Sequence, residues 1–368
     1  MSPGKARLST GTCCVGTLVV CAGGMLFWDA PRVLFPGVPA SFSAEFLCVL
    51  TFFMGVAALM LPFDLVGGIL IPAALESRPL NPRVWLRQWF RSVSIQSLFF
   101  SVTFFIYLQI GRGIGAQWLI AMFTVLQVTL VAGQELIWQA MTANWPRELH
   151  RGPTLIVSHS DQRFVGGITG LPGFETIIVP RDWSSRLQSS SLSIMVSRRH
   201  AAITSGGRLR GIIFAMFWNI TGFTVAIIAV NATIVSVADV ISVYLWFLIY
   251  SFAGLLILPV VNRRSVFALD RYFTNTHKHA GLSEAIADVD RLTEQDPARS
   301  ASAESVFQPI PCPERRAAAL AVQQSGGVTA WNVARTALFL SWAFGGPLAR
   351  AVHCNVGRPE LWAMLPVD

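Results

Sequence analysis

Six long apolar runs, near 12–28, 44–63, 95–111, 117–139, 211–233 and 240–261, alternate with polar segments along the chain. Most are about as long as the ~20-residue helix that crosses the hydrocarbon core of a bilayer, so the pattern predicts six transmembrane helices. Trp28, Trp85, Trp89, Trp118, Trp138 and Trp145 fall near the ends of these runs, where an indole ring can be half solvated. Two polar regions remain, 141–210 and 262–368. In the first, the β-type runs 154–157 and 177–179 flank a glycine-rich stretch, 166–173, and read as two strands joined by a flexible hairpin loop. From Ser191, the residues Leu192, Met195, Val196, Arg199 and Ile203 follow helical spacing until Gly206 and Gly207 interrupt it. In the second region a helix is expected over 264–274, a linker over about 294–313, and a last apolar segment from Trp331 to Val352. That segment is short for a span and reads as a helix that docks onto the domain or lies in the interface, followed by a docking tail.

Composition narrows the class. Only 13% of residues are charged and 53% are hydrophobic, against about 25% charged in soluble domains, which excludes an ordinary cytosolic enzyme. The expected fold is mainly α and polytopic, with a small α+β cytoplasmic region. Its organisation is a four-span membrane region over 1–140, a unit over 141–275 that includes two spans, and a tail over 276–368. The net charge of +8 is carried by arginine, since Lys5 and Lys278 are the only lysines. Arg83, Arg87 and Arg91 follow the second run together with Arg78, and nine arginines lie within 141–210, whereas the alternate loops hold Asp29 with Arg32, Arg112 alone and Asp239 alone. Because positive charge marks the cytoplasmic side, both termini are expected inside. The arginines form no stripe, so they read as topology signals and lipid contacts with no nucleic-acid face.

Candidate chemistry is sparse. Asp64 and Glu135 are the acids nearest the hydrocarbon, and an ionisable group there raises a transport or proton-relay role. Six histidines occur, of which His277 and His279 could present two imidazoles, but no Cys, Asp or Glu stands at matching spacing. The glycines at 166–173 lack the G-x-x-x-x-G-K-[S/T] pattern of a phosphate loop.

The order of strand, glycine-rich loop, the segment Phe174 to Trp183, a helix carrying His200, two spans, and then the run Asn262 to Asp270 resembles the catalytic unit of membrane zinc metallopeptidases of the HtpX and CAAX-prenyl-endopeptidase type, which belong to the gluzincins. The resemblance covers roughly 150–275. It implies a helix bearing H-E-x-x-H, whose two histidines bind zinc and whose glutamate activates the metal-bound water, and a later helix bearing S-R-x-x-E-x-x-A-D, whose glutamate is the third ligand. With the second histidine aligned on His200, Val196 occupies the first histidine's position and Ser197 the general base's. With the terminal aspartate aligned on Asp270, Val266 occupies the third ligand's position. Sliding the register to start at His200 gives Ala201 and Thr204, and no H-E-x-x-H occurs in the chain. His200 is then the one retained ligand type.

The resemblance thus implies a peptidase frame without its catalytic groups, acting by binding as a scaffold or assembly factor for other membrane proteins, with no cofactor. Arg198, Arg199, Arg208, Arg210, Arg263 and Arg264 are expected to face lipid headgroups or an acidic partner. Two alternatives stay open: an active peptidase with an unusual zinc site built from His200, Asp270 and His277 or His279, and a small transporter using Asp64 or Glu135. If the alignment holds, Val196, Ser197, His200 and Val266 should converge.

Overall fold

The computed structural model describes residues 2–37, 41–75, 81–143, 147–149, 154–159, 161, 164–277, 281–293, 304, 308–322 and 327–364. Most of the expected linker, Trp145 and His279 lie outside these residues, as does the side chain of His277. Six helices are long and apolar enough to cross a membrane: α1 (Pro3–Phe27), α2 (Phe42–Leu75), α3 (Pro82–Gly113), α4 (Ala116–Thr142), α6 (Gly207–Ala229) and α7 (Val237–His277). Between them stands α5 (Ser189–Thr204), and α8 (Leu282–Thr293) follows α7. The six expected spans are all present, and local chemistry sets several of their starts. Ser2, Ser41 and Asn81 each accept hydrogen bonds from first-turn amides, and Pro3 and Pro82 occupy first-turn positions that need no donor.

Helix α7 departs from expectation. The last apolar run and the helix expected over 264–274 are one uninterrupted helix of 41 residues. At 1.5 Å per residue it is about 60 Å long, twice the hydrocarbon thickness. Its second half therefore leaves the bilayer and carries Asp270 to the side of the molecule where the sheet lies.

That sheet has the order β1 (Arg147–Leu149), β2 (Thr154–Val157), β4 (Thr176–Pro180), β3 (Gly167–Thr169). The expected hairpin between the two β-type runs is not formed: β2 and β4 are parallel, with Leu155 opposite Ile178, and the hairpin is β3 with β4, Ile168 opposite Ile177. The glycine stretch supplies a strand of its own. Gly166 makes this possible, because its φ of +70° is left-handed and any Cβ there would collide with the Ile178 carbonyl.

The segment expected to dock or lie in the interface instead enters the bundle. Trp331 N–H donates to the Gly207 carbonyl at 3.1 Å, and α10 (Val333–Leu340) then descends between α6 and α7. Asn219 Nδ2 donates to the Ala337 carbonyl at 2.9 Å, and Tyr107 Oη to the Ala343 carbonyl at 2.9 Å. Phe344 stacks on Phe104 with ring centroids 4.5 Å apart and meets Phe223 at 4.8 Å and Phe247 at 6.0 Å. Phe247 lies about 15 Å along α7 from Val237, so the loop tip reaches the depth of the bilayer centre. The chain turns there at Gly345, φ +69°. Residues 341–351 are buried throughout, which is the condition for non-helical backbone at membrane depth.

Returning, the chain is clamped at the sheet side. Asp64 accepts from Trp89 Nε1 at 2.9 Å, from Arg350 Nε at 2.9 Å, from the Arg350 terminal nitrogen and from the Gly357 amide at 3.0 Å. The Arg350 guanidinium lies over Trp362 at 4.4 Å. Gly67 and Gly68, in a π-helical turn (Val66–Leu70) of α2, let the backbone of Val356 and Gly357 cross at a distance that no Cβ would permit.

Candidate functional site

The site implied by the H-E-x-x-H resemblance lies where α5 packs on the outer half of α7, outside the bilayer. Helix α5 turns one face inward with Ile194, Met195, Arg198, Arg199, Ala201 and Ala202. Helix α9 (Pro313–Ala321), from the tail, closes over it and begins, like α1 and α3, with a proline.

Asp270 is the centre. Arg198 Nε donates to Asp270 Oδ1 at 2.7 Å, and Arg316 donates through Nε to Oδ2 at 2.7 Å and through a terminal nitrogen to Oδ1 at 3.0 Å. These three side chains are at most 3% exposed. A single carboxylate thus receives three charge-assisted bonds from two guanidiniums.

Arg199 points away from that cluster. It donates to the carbonyls of Ile178 at 2.8 Å and Val165 at 2.6 Å, with its guanidinium 5.0 Å from the Trp183 ring centre, so it ties α5 to the sheet. Arg208 does the same from the start of α6, donating to the Gly170 carbonyl at 2.6 Å and pairing with Glu175 at 3.4 Å. Arg210 donates to the Val328 carbonyl and Arg263 to that of Glu304, the latter at 2.7 Å. The expectation that all six arginines face lipid or an acidic partner is corrected on this point: Arg198, Arg199 and Arg208 are buried ties within the fold, whereas Arg210 and Arg264 are exposed.

The other aligned positions are plain. Val266 is buried and belongs to the same apolar cluster as Met195, Ala202 and Leu269, with Val196 packed against it. Ser197 and His200 are half-buried on α5. Among the described residues no three His, Cys, Asp or Glu side chains come together. The acids flagged for transport are engaged as well: Asp64 by the returning tail, and Glu135 by Gln139 Nε2 at 2.8 Å within α4.

Sequence reading missed Arg316, which joins the cluster from 46 residues away. The available signal was Pro313 with Glu314, which opens a helix inside what reads as a linker and tail. It also missed a polar junction between the sheet and the chain end. His159 Nε2 meets Asp182 Oδ1 at 3.0 Å, Arg358 Nε donates to Asp161 Oδ2 at 2.6 Å, and the Asp161 amide donates to Glu360 at 2.8 Å. Burial alone would push the His159 imidazole down, but the Asp182 hydrogen bond and charge, with Glu360 and Asp161 nearby, hold it above its ordinary value. Burial likewise opposes ionised Asp161, and Arg358 outweighs it, holding that carboxyl below the usual range.

No protein-family profile and no curated protein sequence matches the chain. Among solved structures, its fold is similar to the crystal structure of S. mikatae Ste24p, with a TM-score of 0.63 and 13% identity over 76% of each chain. The chain is a helical integral membrane protein with a Ste24p-like fold.

Proposed function

We propose that the chain is a membrane pseudopeptidase, a Ste24p-like frame whose catalytic position has become a structural ion cluster, and that it acts by binding other membrane proteins as a scaffold or assembly factor. The carrying observation is Asp270, whose two oxygens are taken by Arg198 and Arg316. A hydrolytic zinc site needs three protein ligands and an open position for water. The aligned positions offer Val196, His200 and Val266 for ligands and Ser197 for the base. Two guanidiniums stand beside them, and their field opposes a divalent cation. This donor set does not fit zinc, and the likeness in fold supports kinship of architecture alone. The arginine distribution supports a cytoplasmic sheet side.

The test is elemental analysis of full-length protein purified without chelator, for wild type and His200→Ala, with peptide cleavage assayed in parallel. The expected result is zinc well below one per chain, equal in both, and no chelator-sensitive cleavage. One zinc per chain, lost in His200→Ala, overturns the reading. For the binding half, a photocrosslinker at the exposed Arg264 position should give a discrete membrane-protein adduct in native membranes; a chain that crosslinks only to lipid counts against it.

A further inference from the structure

The hairpin of β3 and β4 is where the sheet meets the transmembrane helices. Strand β3 packs on α4, and Ile168 at its middle lines a small cavity together with Val131 of α4 and Ile212 of α6. With α4 and α6 entering the hydrocarbon at their first residues, both helices give Ile168 the same depth. Ile212 is five residues into α6, about 7.5 Å below its sheet-side start at Gly207. Val131 is fifteen residues from the far-side start of α4 at Ala116, about 22 Å, which leaves it about 8 Å short of the sheet-side edge of a ~30 Å core. The edge strand of the sheet thus stands at the level of the acyl chains. Gly167, Ile168 and Thr169 are all buried, which is the condition for a strand edge at membrane depth.

The turn beyond β3 is fastened at the same level. Arg208, in the first turn of α6, donates to the Gly170 carbonyl at 2.6 Å and pairs with Glu175 at 3.4 Å, so both ends of the turn are held and the Glu175 charge is matched. Leu171 packs against the transmembrane apolar cluster. The residues between, Leu171 to Phe174, carry no charge. Phe174 projects outward and is 82% exposed. From Arg208 onward α6 exposes Leu209, Ile213 and Phe217, so its lipid-facing surface begins where the turn is anchored.

We infer that the β3–β4 turn is a membrane foothold, with Phe174 seated in the sheet-side leaflet where headgroups meet acyl chains. Aromatic rings favour that level, and the matched Arg208 and Glu175 make the seat indifferent to headgroup charge. Lipid is the occupant because the turn is tied to the bundle at a depth that the surrounding acyl chains reach. The foothold sets the height of the sheet over the membrane and, through the Arg199 bond to the Ile178 carbonyl on β4, that of α5.

The test places a cysteine at the turn, Phe174→Cys in an otherwise cysteine-free full-length chain, labels it with an environment-sensitive NBD fluorophore and reconstitutes the protein in phosphatidylcholine vesicles. Phosphatidylcholine with a nitroxide high on its acyl chain should quench this label at least fivefold more than the same label at Arg264→Cys. Iodide on both sides of the membrane should show the opposite preference, also at least fivefold. Iodide quenching as strong at 174 as at 264 would put the turn in water, and protection from both quenchers would put it under protein, such as a second copy of the chain; either overturns the foothold. A second measurement leaves the chain unaltered. Phosphatidylcholine bearing a diazirine near the top of its acyl chain, photolysed with wild-type protein, should add mass to the peptide containing Leu171 to Phe174. Label on the Leu209 to Phe217 peptide without label on the turn overturns the assignment.

Discussion

Arg198 and Asp270, one on α5 and one on the outer half of α7, meet at 2.7 Å in a pocket that exposes neither side chain by more than 1%. Arg316 shares the same carboxylate. Burying three charges is costly, and the cluster is stable only while the carboxylate is present to offset both guanidiniums. Asp270→Asn should therefore be the worst single change, costing about 3–5 kcal/mol, the range for removing one partner of a buried pair. Arg316→Met should cost clearly less, because Asp270 then keeps its bond from Arg198. Thermal unfolding in a fixed detergent reads the order. Equal midpoints for the two variants would mean that the charges are not coupled.

The Asp64 and Arg350 pair secures the returning chain, and its two halves are 286 residues apart. Arg350→Met alone strands a buried carboxylate and should cost about 3–5 kcal/mol. The double change Asp64→Leu with Arg350→Met removes both charges and should recover much of that loss, since apolar replacements of buried pairs are often neutral. Limited proteolysis between Gly327 and Met364 should rise in the single variant and fall back in the double. A proton-relay role for Asp64 requires flux, so proton-coupled transport abolished by Asp64→Asn in a well-folded protein would overturn the structural assignment.

What was legible in the sequence follows from the range over which each signal acts. The six spans were legible because lipid imposes a long apolar run on every one of them. The outer half of α7 was not seen as its continuation, because outside the bilayer that requirement ends and Arg263 and Arg264 read as a boundary. The segment from Trp331 to Val352 was read as a helix that docks onto the domain or lies in the interface, because it is short for a span: hairpins that reach only to the bilayer centre need half that length. The β-type residues marked 154–157 and 177–179 as strands but could not assign their partners, so the parallel pairing was hidden. At the site, the resemblance singled out His200, Val266 and Asp270. Arg198 looked like a surface charge because composition cannot tell a paired buried arginine from a solvated one.

The His159 and Asp182 contact makes the junction between the sheet and the chain end sensitive to pH. The folded state holds the imidazole's pKa above its ordinary value of 6.5, so folding favours the protonated form. Its contribution is complete below about pH 6.5 and is lost as pH rises through the folded value. Asp161, held below its ordinary value by Arg358, contributes above about pH 4 and loses its contribution only in acid. The stability difference between wild type and His159→Gln should be larger at pH 5.5 than at pH 9. A difference that is flat across this range would show that the contact carries no net charge coupling.

Orientation in the membrane is decided by which arginines remain unneutralised. At the end away from the sheet, Arg32 pairs with Asp29 at 3.3 Å and Arg112 with Glu45 at 2.5 Å. Asp239 caps the start of α7, accepting from the amides of Val235 and Ser236. That end thus carries little free positive charge, while exposed Arg210 and Arg264 lie at the sheet side. Positive charge resists translocation, so the sheet side should face the cytoplasm, with the N-terminus on that same side, where Arg7 lies close enough to Asp161 to act on its charge. Single cysteines introduced into an otherwise cysteine-free chain, at Ser43 on the far end and at Arg264 on the sheet side, distinguish the two orientations in intact cells. An impermeant maleimide should label the Ser43 position at once and the Arg264 position only after permeabilisation. Since both reporters are read in the full chain, the reverse pattern would invert the topology while leaving the fold untouched, and would move the crosslinking partner sought at Arg264 to the other side of the membrane.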